Sequence, residues 1–473
     1  RQPLGRQPPG DRPGCRTSPE EKALRILFAT YAEKTHFLGM VPLAWALTTA
    51  GHEVRVASQP ELTDVITGAG LTAVPVGRNH NLHVVLRQAQ AIARRMAPDD
   101  GLAVPVGEDE EFDFAENRPE VLTWEYLRNG YANAVPWWFR LVNEPMIDDL
   151  VAYTRQWKPD LIIWEPVTYA GPIAATATGT PHARLMWSVD LFTRMRQHFN
   201  HHLTQQPPDQ QEDVLTQWLT ARLNRHGGHY TDTMTTGHFT IDSIPPSLRH
   251  DPHLGLDLPL HYLPMRHIPY NGTSVIPPWL RTPPDRPRVA LTLGVSSTDR
   301  LDGYTIDVQQ ILTHLADLPI DIIATLPNQQ KAKLTHIPDN THIVEFAPLN
   351  ILAPTCTAII HHGGNGTYNT TLTAGIPQLI IPRFFDGEAR AQYLTRQGAG
   401  LTLTHEQATG ENIRHTLQQL LNNPQHTHHA QKLATEMNQL PTPNQLTTQI
   451  EELVVKYRSE AAAARPVGKP HDA

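Results

Sequence analysis

The sequence predicts an α/β protein built from two doubly wound domains joined by a linker. Three observations lead there. Short apolar runs of strand length alternate with longer helical patterns, once before residue 245 and again after residue 287. Between them, residues 245–287 turn rich in proline and lose the rhythm, as a linker does. Within the second stretch, residues 358–382 read as strand, glycine-rich turn, helix and strand, which is one βαβ unit. At 473 residues the chain exceeds one ordinary core. The division expected is a disordered leader at 1–22, a first domain at 23–250, a linker at 251–287, a second domain at 288–440, a C-terminal helix at 441–458 and a loose tail at 459–473.

In chain order, residues 24–29 form a buried strand, 31–37 a polar loop and 38–50 an apolar-faced helix that stops at Gly51. Strands at 53–58 and 71–76 flank a helix at 61–69. Residues 78–120 lose the pattern, and the acidic run at 108–111 reads as a solvated face. Residues 121–157 are rich in aromatics, mostly core packing, with Trp124 and Trp138 the candidates to line an apolar pocket. Strands follow at 160–164 and 182–187, then a helix at 211–224. Arg184, Arg194 and Arg196 read as a solvated basic group. The second domain opens with a strand at 288–293 and a glycine-containing loop at 294–298. A helix at 305–315 and strands at 321–326 and 342–346 precede the glycine-rich unit. Helices fill 406–456, broken near the prolines at 441 and 443.

Parallel sheets of this kind hold ligands beyond the carboxyl ends of their strands. His36 follows the first strand, and Glu165 ends the strand at 160–164, so both project from one edge. A carboxylate behind an imidazole fixes its tautomer and supports the imidazolium, which makes a general base for a hydroxyl. In the second domain the turn HHGGNGT at 361–367 joins strand to helix. Glycines there allow close approach of a ligand, and the first helical N–H groups attract anions. His361 opens the turn and Asp386 follows one βα loop later, an acceptor for sugar hydroxyls. The pairing suggests a nucleotide-sugar, with diphosphate on the helix end.

Composition narrows the class. A net charge of −8 argues against nucleic acid. No apolar run approaches the ~20 residues of a membrane span. Cys15 and Cys356 are the two cysteines, which fits a reducing cytoplasm. No metal is expected: the sequence lacks an Asp-x-Asp motif, and the His pairs at 201–202 and 361–362 lack a matching ligand set. A dinucleotide oxidoreductase fails for want of GxGxxG after the first strand.

HHGGNGT at 361–367, Asp386 after a strand and THFLGMVPLAWALTTAGHEVRVASQP at 35–60 resemble the GT-B glycosyltransferases of antibiotic biosynthesis. Residues 124–127 (WEYL), 157–171 (WKPDLIIWEPVTYAG) and 269–280 (PYNGTSVIPPWL) resemble the deoxysugar transferases of macrolide and anthracycline pathways. The resemblance implies two Rossmann-like domains facing across a cleft. It implies transfer, with inversion, of a deoxysugar from a dTDP-sugar to a hydroxyl of a hydrophobic polyketide-type aglycone, without cofactor or metal. His36 would be the base and Glu165 its partner. Gly294, Ser296, Leu349, His361, Gly364, Asn365, Gly366 and Thr367 would hold the donor nucleotide, and Asp386 with Gly387 the sugar. Gly387 stands where hexose-using relatives often carry Gln, which suits a deoxygenated sugar. A P450-like auxiliary activator is a further implied partner, and a homodimer is left open. The rival readings are a nucleotide-sugar epimerase or hydrolase of this fold, or a non-catalytic partner of another transferase. His36 with its aromatic-rich neighbourhood disfavours the former. The joint presence of His36, Glu165, His361 and Asp386 disfavours the latter.

Overall fold

The computed structural model describes residues 23–82, 84–85, 88, 112–249, 260–294, 304, 306–382 and 385–463. The leader at 1–22, the acidic run at 108–111 and Ser296 lie outside them.

Two wholly parallel sheets form the frame. The first has seven strands in the order β3-β2-β1-β4-β5-β6-β7. They are β1 Arg25–Ala29, β2 Glu53–Ser58, β3 Ala73–Pro75, β4 Leu161–Trp164, β5 His182–Leu185, β6 Phe239–Asp242 and β7 Tyr262–Pro264. The second has six, ordered β10-β9-β8-β11-β12-β13. They are β8 Arg288–Thr292, β9 Asp321–Thr325, β10 Thr341–Val344, β11 Ala358–His361, β12 Gln378–Ile380 and β13 Gly400–Thr402. The central strands read as unbroken apolar runs because helices cover both faces, and Ile26, Leu27, Phe28 and Ala29 are all fully buried.

Each sheet reverses its winding once. In the first, the order turns between β1 and β4, where Ala29 stands opposite Trp164. In the second it turns between β8 and β11, where Thr292 stands opposite His361. At such points the crossovers depart to opposite faces and leave a crevice beyond the carboxyl ends.

Several sequence expectations are corrected. His36 lies on a one-turn helix, Lys34–Leu38, capped by Glu33, rather than in an open loop. The linker begins later than residue 251, because Tyr262–Pro264 pairs with β6 as the seventh strand of the first sheet. The C-terminal helix runs Pro443–Ala463, so residues 459–463 belong to it and not to a loose tail. That helix packs Leu446, Ile450, Leu453 and Val454 into the first domain's core beside Phe28 and Leu47. Arg184, Arg194 and Arg196 are not a solvated group. Arg184 is fully buried and pairs with Asp190, Arg196 pairs with Asp213, and Arg194 donates to the carbonyls of Phe114 and Glu116. Buried guanidinium groups persist only when their donors are met in this way.

The two halves meet through the helix Phe385–Arg396. One apolar cluster runs from Phe139 and Phe192 in the first half to Tyr368, Ile380 and Tyr393 in the second. Polar bridges accompany it: Asn117 Nδ2 donates to Gln392 Oε1 at 2.9 Å, and Gln397 Nε2 donates to the Ser247 carbonyl at 2.9 Å.

Candidate active site

Because β1 and β4 are neighbours, the segments leaving them are brought side by side. His36 Nδ1 lies 3.1 Å from Glu165 Oε2. The His36 side chain keeps 11% exposure while Glu165 keeps 1%, so the imidazole reaches the surface and the carboxylate backs it from within. Glu165 Oε2 also accepts from Trp187 Nε1 at 2.9 Å and from the Val167 N–H at 3.1 Å, and Oε1 accepts from the Thr168 hydroxyl. With so many donors on it, the carboxylate is fixed in place. A carboxylate can only accept here, so His36 Nδ1–H donates to it and Nε2 carries the lone pair.

The surroundings hold that ring. Trp187 lies against His36 with centroids 4.4 Å apart, and Tyr31 meets it edge-on at 5.1 Å. Asn143, fully buried, donates to the Val167 carbonyl at 2.8 Å and accepts from the Ala170 N–H at 2.9 Å, which anchors the segment after Glu165. Trp187 and Thr168 were missed in the sequence reading. Trp187 could have been found, since it leaves the carboxyl end of β5, the strand next to β4.

Aromatic rings continue outward from His36. Trp187 contacts Phe192 at 6.1 Å, and Phe192 contacts Phe114 at 5.2 Å and Trp138 at 6.1 Å. Trp138 is thus part of an apolar wall that leads to the histidine. Trp124 sits farther along it, against Phe199 at 5.3 Å.

At the second switch point, the turn after β11 is built from the backbone. Gly363 takes φ +83°, a conformation that favours glycine. Gly364 precedes the helix Asn365–Ala374 with no side-chain cap, so the first-turn N–H groups have no partner from a capping side chain. Asn365 Oδ1 accepts from Asn369 Nδ2, the Thr367 carbonyl accepts from Thr371 Oγ1, and a Cβ on Gly366 would meet open space. Gly294, at φ +72° after β8, faces the same turn: a Cβ there would lie 2.2 Å from the His362 ring, and one on Gly364 would lie 2.5 Å from His362 Nε2. The half-buried imidazole between the two glycine turns is therefore His362.

His361 is the correction. Its ring is fully buried, Nε2 donates to Gln378 Oε1 at 2.7 Å, and Nδ1 accepts from the Gly363 N–H at 3.0 Å. Burial, with His362 nearby, pushes it down to about 3, so it stays neutral. It cannot offer a proton to a phosphate and instead braces the turn. Leu349 opens the short helix Leu349–Leu352, which packs beside the helix Asn365–Ala374. Asp386 sits in the first turn of the helix Phe385–Arg396, not at a strand exit, and is nearly buried. Its Oδ2 is paired with Arg390, one helical turn on. Gly387 lies beside the turn, and a Cβ on it would make only ordinary contact, 3.5 Å from Pro382 Cβ. Its bareness is therefore not imposed by space. Among the described residues, no three His, Cys, Asp or Glu side chains are grouped to hold a metal ion, and no helix is long and apolar enough to cross a membrane.

Residues 45–294 match the N-terminal domain of the erythromycin biosynthesis protein CIII-like family, and residues 309–453 its C-terminal domain. The chain is 42% identical to 10-deoxymethynolide desosaminyltransferase of Streptomyces venezuelae, over 93% of this chain and 100% of the relative. It is 40% identical to aclacinomycin-T 2-deoxy-L-fucose transferase of Streptomyces galilaeus, over 93% and 98%. Among solved structures it is similar to the glycosyltransferase VinC in complex with dTDP, with a TM-score of 0.79 and 36% identity over 92% of this chain and 100% of that one. Spinosyn forosaminyltransferase SpnP gives 0.74 and 33%, again over 92% and 100%.

Proposed function

This chain belongs to the erythromycin biosynthesis protein CIII-like glycosyltransferases, and on that premise we propose that it moves a deoxysugar from a dTDP-sugar onto a hydroxyl of a polyketide-type aglycone, with inversion at the anomeric carbon. The observation that carries this reading is the 3.1 Å contact between His36 and Glu165 at one switch point, across from an uncapped helix N-terminus at the other. His36 Nε2 takes the acceptor hydroxyl's proton while the oxygen attacks C1 of the sugar. The C1–O bond to the diphosphate breaks, and dTDP leaves with the electron pair. Glu165 supports the imidazolium as it forms.

The leaving diphosphate lies on the N–H groups of residues 364–367 with His362 beside them, where a helix end favours negative charge. This assignment needs no metal in the step. Asp386, held by Arg390, accepts from the sugar hydroxyls. Gly387 offers no amide, and such an amide beside a deoxygenated carbon would be left unpaired at ~1–3 kcal/mol. The wall through Trp187, Phe192 and Trp138 receives the aglycone's apolar face, with Trp124 behind it. A cytoplasmic location belongs to the same reading, since two cysteines in 473 residues suit a reducing compartment. A P450-like auxiliary protein is part of the reading. It predicts higher turnover with that protein than without it, and full turnover by the isolated chain would remove it.

The donor assignment is tested by thermal unfolding with dTDP, UDP, ADP and NAD. At a hundred times its Kd a ligand stabilises by ~2.7 kcal/mol. We expect dTDP and dTDP-deoxysugars to raise Tm and NAD to leave it unchanged. No response to dTDP would sink the reading.

A further inference from the structure

We propose that Arg390 is a positioning residue, which aims the donor-binding turn and holds it in register with the catalytic histidine through Ser188. The inference rests on the transfer reading above but gives Arg390 and Ser188 a role that this reading does not.

Arg390 lies on the helix Phe385–Arg396 with its side chain 2% exposed. Its donors divide three ways. Nη1 donates to Asp386 Oδ2 and to Ser188 Oγ, while Nε and Nη2 both donate to the Gly363 carbonyl, Nε at 2.9 Å. The planar fork of a guanidinium can do this, and an ammonium cannot.

The Gly363 carbonyl matters because of the peptide it belongs to. In a planar trans peptide the C=O and the following N–H point to opposite sides. Holding the Gly363 oxygen on Arg390 therefore turns the Gly364 N–H away from the arginine. The Gly363 N–H is itself held by His361 Nδ1 at 3.0 Å. Both peptides flanking this φ +83° residue are thus fixed. A site made of backbone N–H groups depends on such aim, since a dipole misdirected by tens of degrees loses its hydrogen bond.

The Ser188 contact carries the same arginine across to the first half. Ser188 is buried and directly follows Trp187, whose indole N–H reaches Glu165 and whose ring lies on His36. One continuous set of contacts therefore joins His36 and Glu165, through Trp187 and Ser188, to Arg390 and then to Gly363 and Asp386. Two other bridges, from Gln392 on this helix and Gln397 just past its end, reach Asn117 and the Ser247 carbonyl, away from the turn and Asp386. Attack on C1 needs the base and the leaving diphosphate in line, so a sub-ångström error in how the halves are seated lowers turnover without loosening the donor.

The test compares Ser188→Ala, Arg390→Lys and Asn117→Ala in the full chain, with dTDP affinity and steady-state kinetics on the donor and aglycone the parent uses. Ser188→Ala removes the cross-cleft bond alone. It should lower kcat roughly tenfold with the dTDP Kd within about twofold of the parent. Arg390→Lys keeps the charge beside Asp386 but loses the fork on Gly363, so it should also weaken dTDP roughly tenfold. Asn117→Ala, which removes a bridge away from the turn, should match the parent. Parental kcat in Ser188→Ala overturns the proposal, as does an equal loss in Ser188→Ala and Asn117→Ala. Full restoration by lysine overturns it too. If Arg390→Lys does not fold, Ser188→Ala and Asn117→Ala still decide the matter. Failure of the parent to bind dTDP would instead remove the transfer reading itself, a result that thermal unfolding separates from the others.

Discussion

Replacing Glu165 by Gln isolates what the carboxylate's charge contributes, because the structure can accept the amide without rearrangement. Oε2 receives three N–H donors, from His36, Trp187 and Val167, so the amide oxygen belongs there. The amide NH2 then takes the place of Oε1 and faces the Thr168 hydroxyl, which has a second lone pair beside the one that accepts from the Tyr31 N–H. A hydroxyl can rotate from donating to accepting. His36 keeps its orientation and tautomer and loses only the countercharge for the imidazolium. A hydrogen bond to a charged group is worth ~1.5–3 kcal/mol and one between neutral groups ~0.5–1.5 kcal/mol. The difference of ~1–1.5 kcal/mol is roughly tenfold in rate. His36→Ala removes the base itself and should lower turnover ~10²–10⁴-fold. Glu165→Gln should therefore sit between the parent and His36→Ala, with dTDP affinity unchanged in both because the proposed donor site lies in the other half. The assay is single-turnover transfer at saturating donor, run on an aliphatic alcohol and on a phenol. The phenol, already partly ionised, should suffer less from either change. Parental turnover of His36→Ala on the alcohol would refute the mechanism. A Glu165→Gln loss as large as that of His36→Ala would refute the division of labour argued here.

Two further outcomes follow from the donor turn. Gly366 opens onto empty space, so Gly366→Ala should leave thermal stability at or slightly above the parent's while weakening dTDP, and a variant that binds dTDP like the parent would displace the diphosphate from this turn. His361 is held down to about 3 when folded, whereas the unfolded residue titrates near ~6.5, so the unfolded state binds the extra proton between those values and stability falls as pH drops below ~6.5, by ~1.4 kcal/mol per unit from this group. His361→Asn, which can still accept from Gly363, should flatten the urea-unfolding stability profile between pH 6 and pH 4 by about that slope, and an unchanged slope would mean the buried ring is not neutral.

The parts of this site that rest on chain order were legible in the sequence. His36 and Glu165 each follow an apolar run, and the parallel doubly wound pattern requires both to emerge at one edge; the structure adds that β1 and β4 are adjacent. The glycine turn was legible for the same reason. What failed was local direction. Two consecutive histidines at a strand end point to opposite sides of the sheet, and nothing in HHGGNGT says which one faces inward. The last strand residue, His361, is the buried one, and His362 reaches the turn. Arg184 and Arg196 failed differently: composition makes an arginine look solvated, and only the tertiary partners Asp190 and Asp213 make its burial tolerable. β7 was hidden because three residues ending in a proline at a sheet edge carry almost no strand signal. Arg390 was half visible, as the i,i+4 partner of Asp386, but its contacts with Ser188 and Gly363 join positions 202 and 27 residues apart and leave no trace in local pattern.

The donor turn and the base site solve opposite electrostatic problems. The base must gain a positive charge during the step, and the structure puts a buried carboxylate behind it. In the proposed reaction the diphosphate arrives charged and leaves with more charge, yet residues 361–367 of the turn include no Lys or Arg. Arg390, on the helix beside the turn, donates to a carbonyl, a serine and Asp386. His361 is kept neutral. In the proposed reading the turn itself contributes oriented N–H dipoles, whose attraction falls off more steeply with distance and angle than that of a point charge. Such a site discriminates by position: it rewards the diphosphate only when it lies where the N–H groups converge, and it releases dTDP more readily than a lysine clamp would. The same choice makes peptide orientation, rather than local charge, the property that must be protected. In that reading a buried arginine belongs beneath the turn, holding the Gly363 carbonyl, rather than beside the phosphates.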